Sequence, residues 1–225
     1  MKPSSKRTSP WMRRHVTDTF VKRARTEGYR SRAAYKLQEI AVKDHLLAAG
    51  VVVVDLGAAP GGWSQVAAKA AGPKGTVVAV DLLPLAPIPG VRVLQGDFSD
   101  PATQAALELA LDGRRVDLVL SDMAPNLTGI AGVDQARGAA LVEVAAEFAV
   151  KYLKPEGSLL VKSFHGEAFE SSRRYLQARF GQVFVRKPDA SRDESREVYL
   201  LARGVAGAGH SVPRRLADIP DKGGG

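Results

Sequence analysis

The chain of 225 residues contains no cysteine. That absence excludes disulfides, thiolate metal sites and any covalent mechanism built on a cysteine nucleophile. No metal centre is expected from the remaining ligand types. No apolar run approaches the roughly 20 residues needed to span a bilayer, so a soluble protein with no membrane partner is expected. The apolar core of a secretory signal is missing as well. Internal repeats are absent. What remains, 45% hydrophobic and 25% charged residues, is ample for one packed domain with extensions.

The charge is placed unevenly. Residues 1–36 hold eleven Lys/Arg against two acids, whereas the other 189 residues carry 21 bases and 22 acids. The net charge of +8 therefore belongs to an N-terminal arm, and a block of this kind points to a polyanion, most often nucleic acid. A solubilising surface is the plain alternative. The opening MKPSSKRTS also has the character of an import peptide, which sets a mitochondrial location beside the expected cytoplasmic one.

From residue 51 onward short apolar runs alternate with helical patterns. VVVVDLG, TVVAVDL, VRVLQGD, VDLVLSD and SLLVKSF read as strands with helices between them, one of them running from Asp134 to Leu153 and stopped by Pro155-Glu156-Gly157, and QVFVRK and REVYLLA follow as two more strands. Near-continuous apolar strands separated by helices mean a parallel sheet covered on both faces. The link PDASRDES is too short for a helical crossover, so the last two strands are expected to be an antiparallel pair. Before this body, Ser31 looks like the N-cap of the helix RAAYKLQEIAVK, and residues 10–25 read as a second, basic helix. The stretch from Gly204 has no periodicity and reads as a tail. The expected division is an arm over 1–30, a catalytic domain over 31–203 and a tail over 204–225.

The first strand-to-helix turn runs Asp55-Leu-Gly57-Ala-Ala-Pro60-Gly61-Gly62-Trp63. Glycines at such a turn let the backbone approach a ligand. The spacing G-x-x-x-G-G with a proline inside departs from the dinucleotide pattern, and the Asp55 carboxylate would repel a pyrophosphate. A ligand with a cationic centre and an ammonium, such as S-adenosylmethionine, suits the turn better. Asp81 at the end of strand 2 is placed to accept from a ribose diol. Asp97, after strand 3, is placed to receive an adenine amino group. Asp122 ends strand 4 in Ser-Asp122-Met-Ala-Pro-Asn. This segment resembles the motif of base-amino methyltransferases but lacks its stacking aromatic. Carbon-5 pyrimidine chemistry needs the missing thiolate, so oxygen methylation is what elimination leaves.

Lys162 closes the apolar strand SLLVK, where an unpaired lysine would be costly, and Asp122 on the neighbouring strand end is its natural partner. Glu197 is an acid inside the apolar strand REVYLLA, and Lys36 on the N-terminal helix is placed to reach the same crevice. Each alone reads equally well as a structural ion pair. Together they suggest a Lys-Asp-Lys-Glu cluster.

The segments SRAAYKLQEI, VVDLGAAPGGWSQVA, GDF, SDMAPN, LVKSFHGE and VRKPDASRDESREVYL resemble the FtsJ/RlmE family of RNA 2′-O-ribose methyltransferases. The resemblance runs from about Trp11 to Ala202. It implies a Rossmann-like α/β methyltransferase fold, a mostly parallel seven-stranded sheet with the last strand antiparallel and helices on both faces. It also implies Lys36, Asp122, Lys162 and Glu197 as the catalytic set, and cofactor contacts at Gly61, Trp63, Asp81, Asp97 and Asp122, beside Asp55 and Gly57 of the turn. The implied substrate is a uridine ribose in the A-loop of 23S ribosomal RNA, within the large ribosomal subunit. A monomer is expected.

Two roles stand open for Lys162: a neutral general base, or an ammonium that orients the hydroxyl and stabilises the developing oxyanion. RNA phosphates are expected on Arg13, Arg14, Lys22, Arg23, Arg25, Arg30 and Arg32, and bases on Tyr35 or Trp11. Trp11 reads equally as a hydrophobic staple. Three competing functions are a transfer-RNA anticodon-loop methyltransferase, a non-catalytic ribosome-assembly factor on the same fold, and an NAD-dependent oxidoreductase, the last disfavoured by the turn and by Asp55.

Overall fold

The computed structural model describes residues 19–192 and 195–207. Two helices, Thr19–Thr26 (α1) and Ala33–Asp44 (α2), precede the sheet. There follow Val52–Leu56 (β1), Gly62–Ala71 (α3), Thr76–Asp81 (β2), Val91–Gln95 (β3), Pro101–Leu111 (α4) and Val116–Ser121 (β4). Ala131–Tyr152 (α5), Leu153–Phe164 (β5), Phe169–Gln177 (α6), Phe180–Arg186 (β6) and Glu197–Val205 (β7) complete the described chain. Arg13, Arg14, Trp11 and the glycine-rich tail from residue 208 lie outside the described residues.

The strands pair in the order β3-β2-β1-β4-β5-β7-β6. Strands β1 to β5 are parallel to one another, and β7 is antiparallel to both β5 and β6. The expected antiparallel pair is present, for the reason foreseen: the described residues of the β6–β7 link form no helix. Valine and leucine fill the central strands because both faces are covered. On one face α4, α5 and α6 close over Val54, Val80, Val119, Leu159 and Leu200. On the other, α2 and α3 close over Val53, Val77, Leu118, Leu120, Leu160, Tyr199 and Leu201. Since side chains alternate across a strand, these two sets have period 2 along each strand.

Three boundaries differ from expectation. Ser31 does not cap α2: Arg32 holds the N-cap position without a side-chain bond. The Ser31 hydroxyl instead lies against Gly62, where a Cβ would overlap it, so a close α2–α3 approach takes up that side chain. Helix α5 begins at Ala131, three residues before Asp134. The Asp134 carboxylate accepts from Thr128 N and Oγ1, both at 2.7 Å, and from Gly129 N at 3.0 Å, fastening the turn that leads into the helix. Pro155-Glu156-Gly157 does not separate helix from strand, because β5 starts at Leu153 and absorbs those residues with a register shift opposite Val116 and Leu118.

Candidate active site

The order of strands reverses between β1 and β4, and in an open α/β sheet a ligand crevice lies beyond the carboxyl ends of the strands at such a point. Alternation decides what stands there. On the α2/α3 face the apolar stripe Leu118, Leu120 continues to Asp122, and Leu160 continues to Lys162. Strand β7 runs the opposite way, so its first residues reach the same edge: Tyr199 pairs with Lys162 and Glu197 with Phe164. Helix α2 lies over this face and delivers Lys36. Four charged groups expected from sequence thus meet at one rim.

Their partners are specific. Lys162 Nζ donates to the Asp122 carbonyl oxygen at 2.5 Å and stands 3.1 Å from Asp122 Oδ1. Lys36 Nζ donates to Glu197 Oε1, with both side chains only 12–13% exposed. The set carries two positive and two negative groups, so each ammonium has a carboxylate of its own. One hydrogen of the Lys162 nitrogen is spent on the Asp122 carbonyl, with the Asp122 carboxylate beside it, and an amine has capacity for a further partner. Burial pushes the Glu197 carboxyl upward, but the charge and hydrogen bond of Lys36, with Lys162 and Tyr199, outweigh it and hold the group below its ordinary value.

Tyr199 is the member that sequence reasoning missed. Its fully buried hydroxyl lies 2.9 Å from Asp122 Oδ1 and 3.1 Å from Glu197 Oε1, sharing one proton between the two carboxylates. Burial, then the negative charges of Asp122 and Glu197, raise its pKa far beyond the ordinary tyrosine value, so it acts as a fixed donor. Period 2 from Glu197 was the available signal: residues 197 and 199 share a face.

The turn after β1 is built by close approach. Gly57 and Gly61 have φ of 68° and 107°, in the region that favours glycine, and a Cβ on Gly57 would overlap Met123. Asp55 is buried and accepts from Ser64 Oγ at 2.6 Å. Burial raises its pKa to about 7; the Ser64 bond opposes the rise, and the charges of Asp122 and Asp81 add to it. Asp81 already accepts from Ala59 N at 2.7 Å and Leu83 N at 2.8 Å, which fastens two loops around the crevice. Asp97 Oδ1 accepts from Ser99 N and Oγ; these bonds hold its pKa low, and a cleft opens between it and Thr103. The charges of Asp122 and Asp81, on the strand ends either side, raise the cost of ionising Asp55, and a cationic ligand would relieve it. Trp63 differs from expectation. Its ring is buried against Tyr199 and its Nε1–H donates to Ala33 O, so only its backbone faces the turn.

Several residues expected to hold RNA serve the fold instead. Tyr35 is 4% exposed, packed with Phe20, Tyr29 and Ala24 under α1, and offers no face to a base. Arg30 donates to Pro60 O, Ala86 O and Pro87 O at 2.7–3.2 Å, clipping the loop after β2 onto the glycine turn. Arg32 donates to Ala190 O at 2.5 Å. Arg23 pairs with Glu27 at 2.6 Å and lies over the Tyr35 ring, while its side chain stays 57% exposed. Lys22 and Arg25 are exposed on α1, whose Val21 and Ala24 face inward. Among the described residues there is no acid or histidine group that could hold a metal, and no helix long and apolar enough to cross a membrane.

Comparison with known proteins agrees with this geometry. Residues 29–205 match the family model described as FtsJ-like methyltransferase. The ribosomal RNA large subunit methyltransferase E of Thiobacillus denitrificans is 58% identical over 199 residues, covering 88% of this chain and 90% of that protein. Its namesake in Azoarcus sp. is 57% identical, over 88% and 96% of the two chains. Among solved structures, one described as a ribosomal RNA methyltransferase from Plasmodium falciparum superposes with a TM-score of 0.70 at 28% identity, over 79% of this chain and 98% of that one. Aeropyrum pernix fibrillarin with bound S-adenosylmethionine shares the fold, with a TM-score of 0.54 at 16% identity over 75% of each chain.

Proposed function

This chain belongs to the FtsJ-like methyltransferase family, and from that premise we propose that it methylates a ribose 2′-oxygen in ribosomal RNA of the large subunit, at a uridine of the 23S A-loop. The observation that carries the reading is the Lys162–Asp122 pair at the sheet edge, joined through the Tyr199 hydroxyl to Glu197 and Lys36. S-adenosylmethionine supplies the methyl group. The residues suited to hold it are the backbone of the Gly57–Trp63 turn, with Asp55 and Asp122 near a positive centre, Asp81 for a diol and Asp97 for an amino group. Each is a match of charge and donor type at successive strand ends.

The chain's own task is to align a weak nucleophile and manage one proton. Lys162, held beside the Asp122 carbonyl and carboxylate, meets the 2′-hydroxyl and, in its neutral amine form, receives the hydroxyl proton. Tyr199 and the Lys36–Glu197 pair keep Asp122 and Lys162 in register. Lys22 and Arg25, with Arg13 and Arg14 of the arm, hold RNA phosphates in a salt-dependent way. The protein works as a monomer in the cytoplasm.

The test is transfer of labelled methyl from S-adenosylmethionine to large ribosomal subunits lacking the modification, with the modified nucleotide mapped. Lys162→Met should lower kcat by about 10²–10⁴, the range for lost proton transfer, with cofactor affinity kept. Near-full activity of Lys162→Met with normal cofactor binding would overturn the assignment.

A further inference from the structure

Past Lys162, strand β5 continues through Ser163 and Phe164 into a cleft of about 180 Å³ that no step above uses. Its walls are the loop after β4, the start of α5 and the turn between β5 and α6, and most of its lining is apolar. Its polar lining includes Asp134, His165, Ser172 and Arg196, with two further polar groups. One is the hydroxyl of Ser163, a residue only 5% exposed that lines the cleft. The other is the amide nitrogen of Gln135.

The Gln135 amide is pinned. Its Oε1 accepts from Ala168 N at 3.2 Å, and Gly166 lies so close that a Cβ there would come within 2.7 Å of that oxygen. With the oxygen committed to the protein, Nε2 is left as a fixed donor at the cleft. Gly138, within α5, keeps the cleft open opposite Phe164: a Cβ on it would already stand 3.6 Å from Phe164 Cδ2. Glycine is a poor helix former, so a larger residue here would favour the helix and fill the space.

We propose that this cleft receives the base of the nucleotide being methylated, turned out of its stack, and that Gln135 reads a carbonyl on that base. The inference rests on the ribose-methylation reading above. Lys162 and Phe164 are two residues apart, about 7 Å along the strand. The base hangs from the sugar carbon next to the one bearing the 2′-hydroxyl, so a ribose held at Lys162 on the carboxyl edge of the sheet reaches over that edge to this opening on the α5/α6 side. Apolar walls with a few polar groups suit a flat heterocycle. RNA-binding proteins read unstacked bases in this way, by their edges. A donor at Nε2 suits the keto edge of uracil and opposes the amino group that cytosine presents there.

The experiment measures kcat/KM on large ribosomal subunits carrying uridine or cytidine at the methylated position. Gln135→Glu keeps the oxygen that accepts from Ala168 but replaces the donor by an acceptor. It should lower kcat/KM on the uridine substrate by about 10- to 100-fold and narrow the preference for uridine over cytidine, with S-adenosylmethionine affinity unchanged. Gly138→Leu should lower kcat/KM similarly without lowering Tm. Wild-type rates in both variants, or an unchanged base preference in Gln135→Glu, would overturn the cleft assignment while leaving the methyltransferase reading intact. An inactive wild type would instead defeat the reading on which it rests.

Discussion

Replacing Tyr199 by Phe removes one oxygen from the centre of the charged cluster and almost nothing else. The ring stays packed near Trp63, 5.5 Å away between centroids, so no cavity opens. What is lost is a donor shared between Asp122 Oδ1 and Glu197 Oε1. A hydrogen bond to a charged group is worth about 1.5–3 kcal/mol. Lys162 and Lys36 still neutralise the two carboxylates, so the loss appears mainly as freedom of Asp122, and through it of Lys162. If that bond's full worth is expressed in the transition state, kcat falls by about 10- to 150-fold. The assay is single-turnover methyl transfer at saturating cofactor and RNA, beside a direct measurement of cofactor Kd. The expected pattern is a lower kcat with a nearly unchanged Kd, and a Tm lower by a few degrees. A kcat within twofold of wild type would refute the view that Tyr199 positions the pair. A loss confined to cofactor Kd would place its role in cofactor binding alone.

Two further outcomes concern stability. Asp44 accepts two bonds from Arg186, at 2.6 and 2.7 Å, which join α2 to β6 across the fold. Asp44→Ala should cost about 3 kcal/mol by leaving the arginine without its partner, lowering Tm by about 6–12 °C. The Arg186 bond holds the Asp44 pKa down, so this stabilisation is present above the ordinary carboxylate pKa and is lost as pH falls through the folded value. The gap between variant and wild type should therefore close in acid; a constant gap would contradict the ion-pair account. Asp55 behaves in the opposite sense. With its pKa raised from 3.8 to about 7, the native state keeps a proton that the unfolded chain has released. Its contribution is fully present below pH 3.8 and is lost as pH rises to about 7. Asp55→Asn keeps an acceptor for Ser64 and should remove that slope in urea titrations without cofactor. Parallel stability–pH curves for the two proteins would show that Asp55 is ionised throughout.

Much of this molecule can be read along the chain. Valine-rich runs such as Val51–Val54 and the glycine turn are local patterns, and they announce a parallel sheet with a ligand crevice at its carboxyl edge. The polar residues that interrupt the ends of apolar strands, Asp122, Lys162 and Glu197, are legible for the same reason: a charge in such a place is costly alone and implies a partner nearby. Which partner is a different matter. Lys36 with Glu197, and Lys162 with Asp122, follow from the reversed direction of β7 and from where α2 lies.

The basic arm shows where local reading stops. A run of arginines and a tyrosine reads the same whether it meets phosphate or carbonyl, because composition records only what a side chain can donate. Folding brought Ala190 to Arg32 across 158 positions and the loop after β2 to Arg30, and it laid α1 over Tyr35. Those residues became part of the core's support, leaving Lys22, Arg23 and Arg25 exposed. The sequence by itself determined the strands, the turn and the identity of the charged cluster, since each depends on near neighbours and on the cost of burying charge. Tertiary structure alone decided the bridging role of Tyr199, the burial of Asp55 and the cleft at Gln135, since each depends on what distant segments place alongside.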